Sequence, residues 1–224
     1  TVTVAYDSEH VLAYQNIVPP AAAGKTCIVP MTAPYLLFED FSGVASFSSN
    51  DAYTGGFSTG GKDGYGPFLG GWTGERIGGQ AGLSVRLAAR RETSARYHSR
   101  MDSAPLPQIK SPVDVRVSFD YSMGENHGGI LSRQYGMNVY VGYVTSTQMY
   151  DNGSTAGTFN YSFNINETSG SYSSITDHDD VLIQDLPAGS QNRISWRAEV
   201  ENHAGANNNT DWLYLDNVKV QVAQ

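Results

Sequence analysis

Asp216 stands where a strand should not keep a charge. In WLYLDNVKV, residues 212–220, side-chain alternation puts Trp212, Tyr214, Val218, Val220 and Val222 on one face, with Asp216 among them. A bare carboxylate in such company costs several kcal/mol, so the group must be bound to a metal, ion-paired, hydrogen-bonded, or turned outward by a bulge. Other residues invite chemistry too. Glu199 and Glu201 alternate onto one face of AEVEN, and glycoside hydrolysis requires two carboxylates about 5 to 9.5 Å apart. The same segment also reads as an ordinary amphipathic strand with its charges in water. Asp177, His178, Asp179 and Asp180 cluster in SITDHDDV but lack the spacing and glycine of an EF-hand loop, which leaves them as turn acids. Arg86, Arg90, Arg91, Arg96 and Arg100 form a run of cations suited either to forked recognition of carboxylated or sulfated groups or to a solvated strand face with local ion pairs. Five histidines are scattered without metal-ligand spacing. There is no nucleophile elbow, phosphate loop or dinucleotide fingerprint, so the expectation is a protein that is not an enzyme.

Charge narrows the partners. With 14 Lys plus Arg against 22 Asp plus Glu, the net charge is -8. Nucleic acid and anionic membrane surfaces demand a basic footprint that this chain lacks. A neutral ligand or another protein fits better. The 224 residues suffice for a substantial core without disulfides, and the single cysteine, Cys27, has no partner in the chain. No run of apolar residues is long enough to be a transmembrane segment.

The elements that would position these groups are strands. Period-two alternation places Val113, Val115, Val117, Phe119 and Tyr121 opposite Asp114, Arg116, Ser118 and Asp120. It places Phe159, Tyr161, Phe163 and Ile165 opposite Asn160, Ser162 and Asn164, and Ile194, Trp196, Ala198 and Val200 opposite charges. GLSVRLAAR and MNVYVGYV alternate likewise. Helical periodicity is nearly absent; LAARRETSARYH reads as a strand end, a charged turn and the next strand. One-sided apolar faces repeated this often predict an all-β, antiparallel two-sheet β-sandwich over residues 31–224. Residues 1–30, which include VPPAAAGKT, differ in composition and are expected to be an N-terminal extension or the tail of a preceding domain plus linker.

LLFEDFSG, GGW, GLSVRL, VRVSFDY, LPAGSQNRISW and WLYLDNVKV occur in the order seen in jelly-roll carbohydrate-binding modules, and from about Tyr35 to Val222 the chain resembles that galactose-binding-like superfamily. The resemblance implies a jelly roll and a place in a longer, secreted or cell-surface (outer membrane-associated) multidomain protein of the kind found in Bacteroidetes. It also implies a structural calcium ion held by Glu39, with Asp40 as neighbour, and Asp216. Backbone oxygens of SSNDAYTGG would complete the six to eight oxygens that calcium takes.

A module of this kind is expected to bind a poly- or oligosaccharide through exposed aromatic rings. Sugars present flat C–H faces, and the glycine-rich segment DAYTGGFSTGGKDGYGPFLGGW supplies Tyr53, Tyr65, Phe68 and Trp72 as the expected ligand-binding residues. The function expected is therefore non-catalytic carbohydrate binding. The rivals are an adhesin-like structural or protein-binding module, and a glycoside hydrolase or polysaccharide lyase.

Overall fold

A computed structural model describes residues 35–46, 66–91, 96–97, 99–125, 137–145, 157–165, 171, 173–200 and 209–223. These form strands β1 (Tyr35–Glu39), β2 (Gly66–Leu69), β3 (Trp72–Glu75), β4 (Ile77–Gln80), β5 (Ser84–Arg91), β6 (Arg96–Tyr97), β7 (Ser99–Asp102), β8 (Val113–Glu125), β9 (Met137–Val144), β10 (Thr158–Ile165), β11 (Asp177–Leu186), β12 (Arg193–Val200) and β13 (Asn209–Val222). Among the described residues there is no helix, and so none long and apolar enough to cross a membrane.

The strands build two antiparallel sheets, as the alternation predicts. One runs β11-β8-β13-β5-β4, with β1 beside β13 and β6 beside β5; the other runs β10-β9-β12-β7-β3-β2. From β7 onward the chain passes repeatedly between the sheets, so strands adjacent in space are mostly distant in sequence. The apolar faces meet as expected: Val115, Val117 and Phe119 of β8 are fully buried against Ile194, Trp196 and Ala198 of β12 and their neighbours. Burying a large apolar side chain in such a core is worth roughly 1.5–3 kcal/mol.

A seam of aromatic rings joins the sheets. Phe41, just after β1, meets Trp72 edge-on at 5.1 Å. Trp72 stacks on Trp196 at 5.9 Å, Trp196 meets Phe119 edge-on at 5.9 Å, and Phe119 leads to Phe163 at 6.2 Å. Phe163 lies 5.8 Å from Tyr161, whose hydroxyl donates to Asp179 of β11 at 2.9 Å. Phe41 has a positive φ of 49° and no exposed surface. The Glu39 carboxylate accepts its backbone N–H at 2.9 Å, holding the turn that sends the ring inward.

β13 departs from the sequence expectation. Leu213 and Leu215 enter the core, and so do Val218 and Val220, although an unbroken strand would put these two pairs on opposite faces. The register against β8 shifts between Asp216 and Lys219, and Asn217 has a φ of 50°. A β-bulge therefore reverses the parity of the strand at Asp216–Asn217. Trp212 and Tyr214 consequently do not share a face with Val218 and Val220, and Asp216 is only partly buried. Its Oδ1 accepts the Asn217 N–H at 2.8 Å, and the Asn217 amide donates to Asp120 at 2.8 Å. The bulge falls where β13 exchanges one neighbour for another, β5 ending at Leu215 and β1 starting at Val218.

The acids of SITDHDDV also differ from expectation, since they lie in β11 rather than in a turn. The segment pairs along β8, from Asp177 opposite Tyr121 to Leu186 opposite Val113. His178 then contacts Asp120 at 2.6 Å, Asp180 receives Arg116 at 3.3 Å, and Asp179 faces the opposite way toward Tyr161. Strand pairing overrode a local composition that is otherwise typical of turns.

Two outcomes test this account. Asn217→Val places a β-branched residue at a left-handed backbone position and should destabilise the fold by about 1–3 kcal/mol in urea unfolding, with Asn217→Gly costing less. Burial, and then the neighbouring Asp179 carboxylate, raise the Tyr161 hydroxyl from 10.0 to about 12. The folded chain therefore keeps this proton while the unfolded chain loses it. Its stabilising contribution is complete below pH 10 and is lost as pH rises toward about 12, so wild type should lose more stability than Tyr161→Phe across that window.

Candidate functional site on the outer face of the six-stranded sheet

Since Met101, Trp196 and Val141 point into the core, their neighbours on β7, β12 and β9 must point away from it. Register then aligns Glu75 with Arg100, Arg100 with Arg197, Arg197 with Tyr140, and Tyr140 with Ser162. One row of side chains thus crosses five strands. A second short row joins Glu199 to Asn138 and Asn138 to Asn164.

This face is unusual in burying its charges. Glu75, Arg100 and Asp102 have no exposed surface, and Arg197 is 8% exposed. The Arg100 Nε donates to both Asp102 oxygens, at 3.0 and 3.2 Å. Arg76 reaches Glu75 at 3.3 Å, and Arg197 reaches Glu199 at 3.5 Å. Arg100 and Arg197 therefore each have a carboxylate beside them, while the buried Arg193 donates to the Gly71 and Ser103 carbonyls instead.

Aromatic rings cover these cations. The Arg197 guanidinium lies 4.3 Å from the Tyr140 ring centroid and 5.5 Å from that of Phe159, while Arg100 lies 5.7 Å from Phe159. One phenylalanine ring therefore roofs two guanidiniums, a favourable use of the negative π-face. Phe159 reaches that position because β10 bulges: Thr158 is opposite Tyr143, but Tyr161 is opposite Val141. The sequence alternation predicts Phe159 on the inner face with Tyr161 and Phe163; the bulge turns it outward instead. Gly142 makes room for it, since a Cβ there would lie 2.0 Å from the Thr158 carbonyl oxygen and 2.7 Å from the Phe159 Cα. Among the described residues of β10, the side chains exposed beside the rings are neutral. Asn160, Ser162 and Asn164 are exposed, and the Asn164 amide donates to the Asn138 side-chain carbonyl at 3.1 Å.

The expected ligand residues fare differently. Trp72 is 1% exposed, and its indole hydrogen-bonds Glu39. A ring enclosed by Phe41, Phe68 and Trp196 cannot stack on a sugar, so its assignment as a platform is corrected to core. Phe68 packs partly against that core, 6.4 Å from Trp72. Tyr53 and Tyr65 lie outside the described residues, as do Glu201 and residues 1–30. The arginine run does not form one patch: Arg86 belongs to the seven-stranded sheet, over Trp212 at 4.3 Å, whereas Arg100 belongs to the six-stranded one.

Glu39 and Asp216 come within electrostatic reach of each other. Burial, then the Asp40 and Asp216 carboxylates, push the Glu39 carboxyl above the usual range, against an opposing hydrogen bond from the Phe41 N–H. Burial, followed by Asp120 and Asp40, does the same to Asp216, while its Asn217 hydrogen bond opposes. Asp40 is exposed, and hydrogen bonds from Ser42 lower its carboxyl. Two half-buried carboxylates, each pushed toward its neutral form chiefly by burial, suit a cation in charge. Among the described residues, however, no group of three or more His, Cys, Asp or Glu side chains converges closely enough to hold a metal ion. The remaining calcium ligands expected from SSNDAYTGG fall outside the described residues.

No family model matches the chain, and no curated protein matches it. Solved structures similar to it include the K3 cleaved adhesin domain of Lys-gingipain from Porphyromonas gingivalis, at 13% identity and a TM-score of 0.40, covering 84% of this chain and 99% of that one. Another is the module TmCBM61, solved in complex with β-1,4-galactotriose, at 13% identity and a TM-score of 0.31, covering 80% and 99%. A third is the adhesin domain of Epf from Streptococcus pyogenes, at 14% identity and a TM-score of 0.37, covering 85% and 64%. At these scores and identities the likeness carries no argument about function, which must rest on the site.

Proposed function

We propose that this chain is a non-catalytic carbohydrate-binding module whose site is the outer face of the six-stranded sheet at β9 and β10. The observation that carries the reading is the Tyr140 and Phe159 pair stacked around Arg197. Rings anchored on a guanidinium from one side are pre-organised to offer another side to a flat C–H face of a sugar, which reduces the ordering cost of binding. Asn138, Ser162 and Asn164 stand beside them with amide and hydroxyl groups that match sugar hydroxyls as both donors and acceptors. The module would work outside the cell or at its surface, as one part of a longer chain.

The reading includes a structural calcium ion. Glu39 and Asp216 would be its protein carboxylates, with Asp40 nearby, and the ion would neutralise two groups whose charged forms burial disfavours. Its role would be to pin β1 to β13 beside the bulge.

Two measurements test these proposals. On immobilised plant, algal and host glycans, wild type should bind at least one class without releasing reducing sugar. Tyr140→Ala and Phe159→Ala should each weaken that binding by about tenfold or more, as loss of a stacking ring does. Unchanged binding in both variants would remove the site. For the ion, calcium should raise the melting temperature of wild type but not of Asp216→Ala, and equal rises in both would exclude Asp216 as a ligand.

A further inference from the structure

We infer that the β9–β10 face selects neutral glycans and rejects uronate-bearing or sulfated ones. This inference rests on the carbohydrate-binding reading above and goes further, to the class of sugar. An anionic sugar is normally recognised by an arginine fork that the site holds ready for it. Among the described residues, each of the two guanidiniums beneath the Phe159 ring already has a carboxylate beside it. Arg100 donates to Asp102 with its Nε, Arg197 faces Glu199 at 3.5 Å, and Phe159 lies over both.

The ligand would therefore meet the rings and the neutral side chains of β10 rather than a cation. Among the described residues a carboxylate borders that neutral rim: Glu199, the partner of the buried Arg197, is aligned with Asn138, which is itself hydrogen-bonded to Asn164. A carboxylate accepts hydrogen bonds from sugar hydroxyls and repels a uronate or sulfate brought to the same place. The net charge of -8 adds a long-range field of the same sign.

The test is calorimetric titration of the full chain with neutral gluco-, galacto-, manno- and xylo-oligosaccharides, and separately with oligogalacturonate and sulfated galactan oligosaccharides. The expected result is binding of at least one neutral series, with the acidic series weaker by roughly tenfold or more at low ionic strength. In Glu199→Gln the ratio of acidic to neutral affinity should rise severalfold, with folding checked by its melting transition. Wild type at high ionic strength should narrow the same gap without any substitution, because screening acts on the repulsion alone. Acidic glycans bound as tightly as neutral ones, or a preference indifferent to both salt and Glu199→Gln, would overturn the inference and leave carbohydrate binding standing. Failure to bind either series would overturn the carbohydrate reading itself, and the inference with it.

Discussion

The seam of aromatic rings between the sheets is the contact on which the remainder of the molecule depends. Phe41 and Phe119 enter it from the seven-stranded side, and Trp72, Trp196 and Phe163 from the other. Neither sheet alone could keep these rings from water. Period two then turns the seam into a rule for the outside: with Trp196 inward, Arg197 is outward, and with Phe163 inward, Ser162 and Asn164 are outward. The row across the outer face of the six-stranded sheet is thus a consequence of how the core is packed.

Two bulges re-aim side chains that strict alternation would misplace. At Asp216–Asn217 the bulge lets β13 bury Leu213 and Leu215 beside β5, then Val218 and Val220 beside β1, while two polar residues absorb the change of parity. In β10 the bulge moves one ring from the core side to the outer face, over a glycine whose missing side chain leaves the space. One device serves the fold, and the other forms the proposed site. In both, a broken ladder lies next to the residues that carry the chemistry.

The ionic pairs on the outer face shape the structure as well as the surface it presents. Buried charges seldom add stability over apolar residues of similar size, because desolvation offsets the attraction. Arg100 with Asp102, and Arg197 with Glu199, instead hold rings and strands in a defined arrangement. That arrangement leaves the accessible part of the face neutral and aromatic, the character suited to a ligand rich in hydroxyls and poor in charge.

By itself the sequence determined the architecture, because alternation is a local property: VDVRVSFDY, RISWRAEVE and TFNYSFNI each show a one-sided apolar face before any partner is known. It also encoded the β13 bulge, since the apolar residues move from odd to even positions across Asp216 and Asn217; following only the even positions concealed that break. It did not show the site. Arg100, Arg197, Tyr140 and Phe159 come from four strands, of which only β9 and β10 are consecutive in the chain, and sheet register brings them together. Nor could it place Phe159, whose apolar alternation with Tyr161 and Phe163 is unbroken, or Trp72, whose glycine-rich surroundings suggested exposure. Both positions were decided by the tertiary structure, which alone specifies where a backbone can approach Gly142 and which rings must fill the space between two sheets.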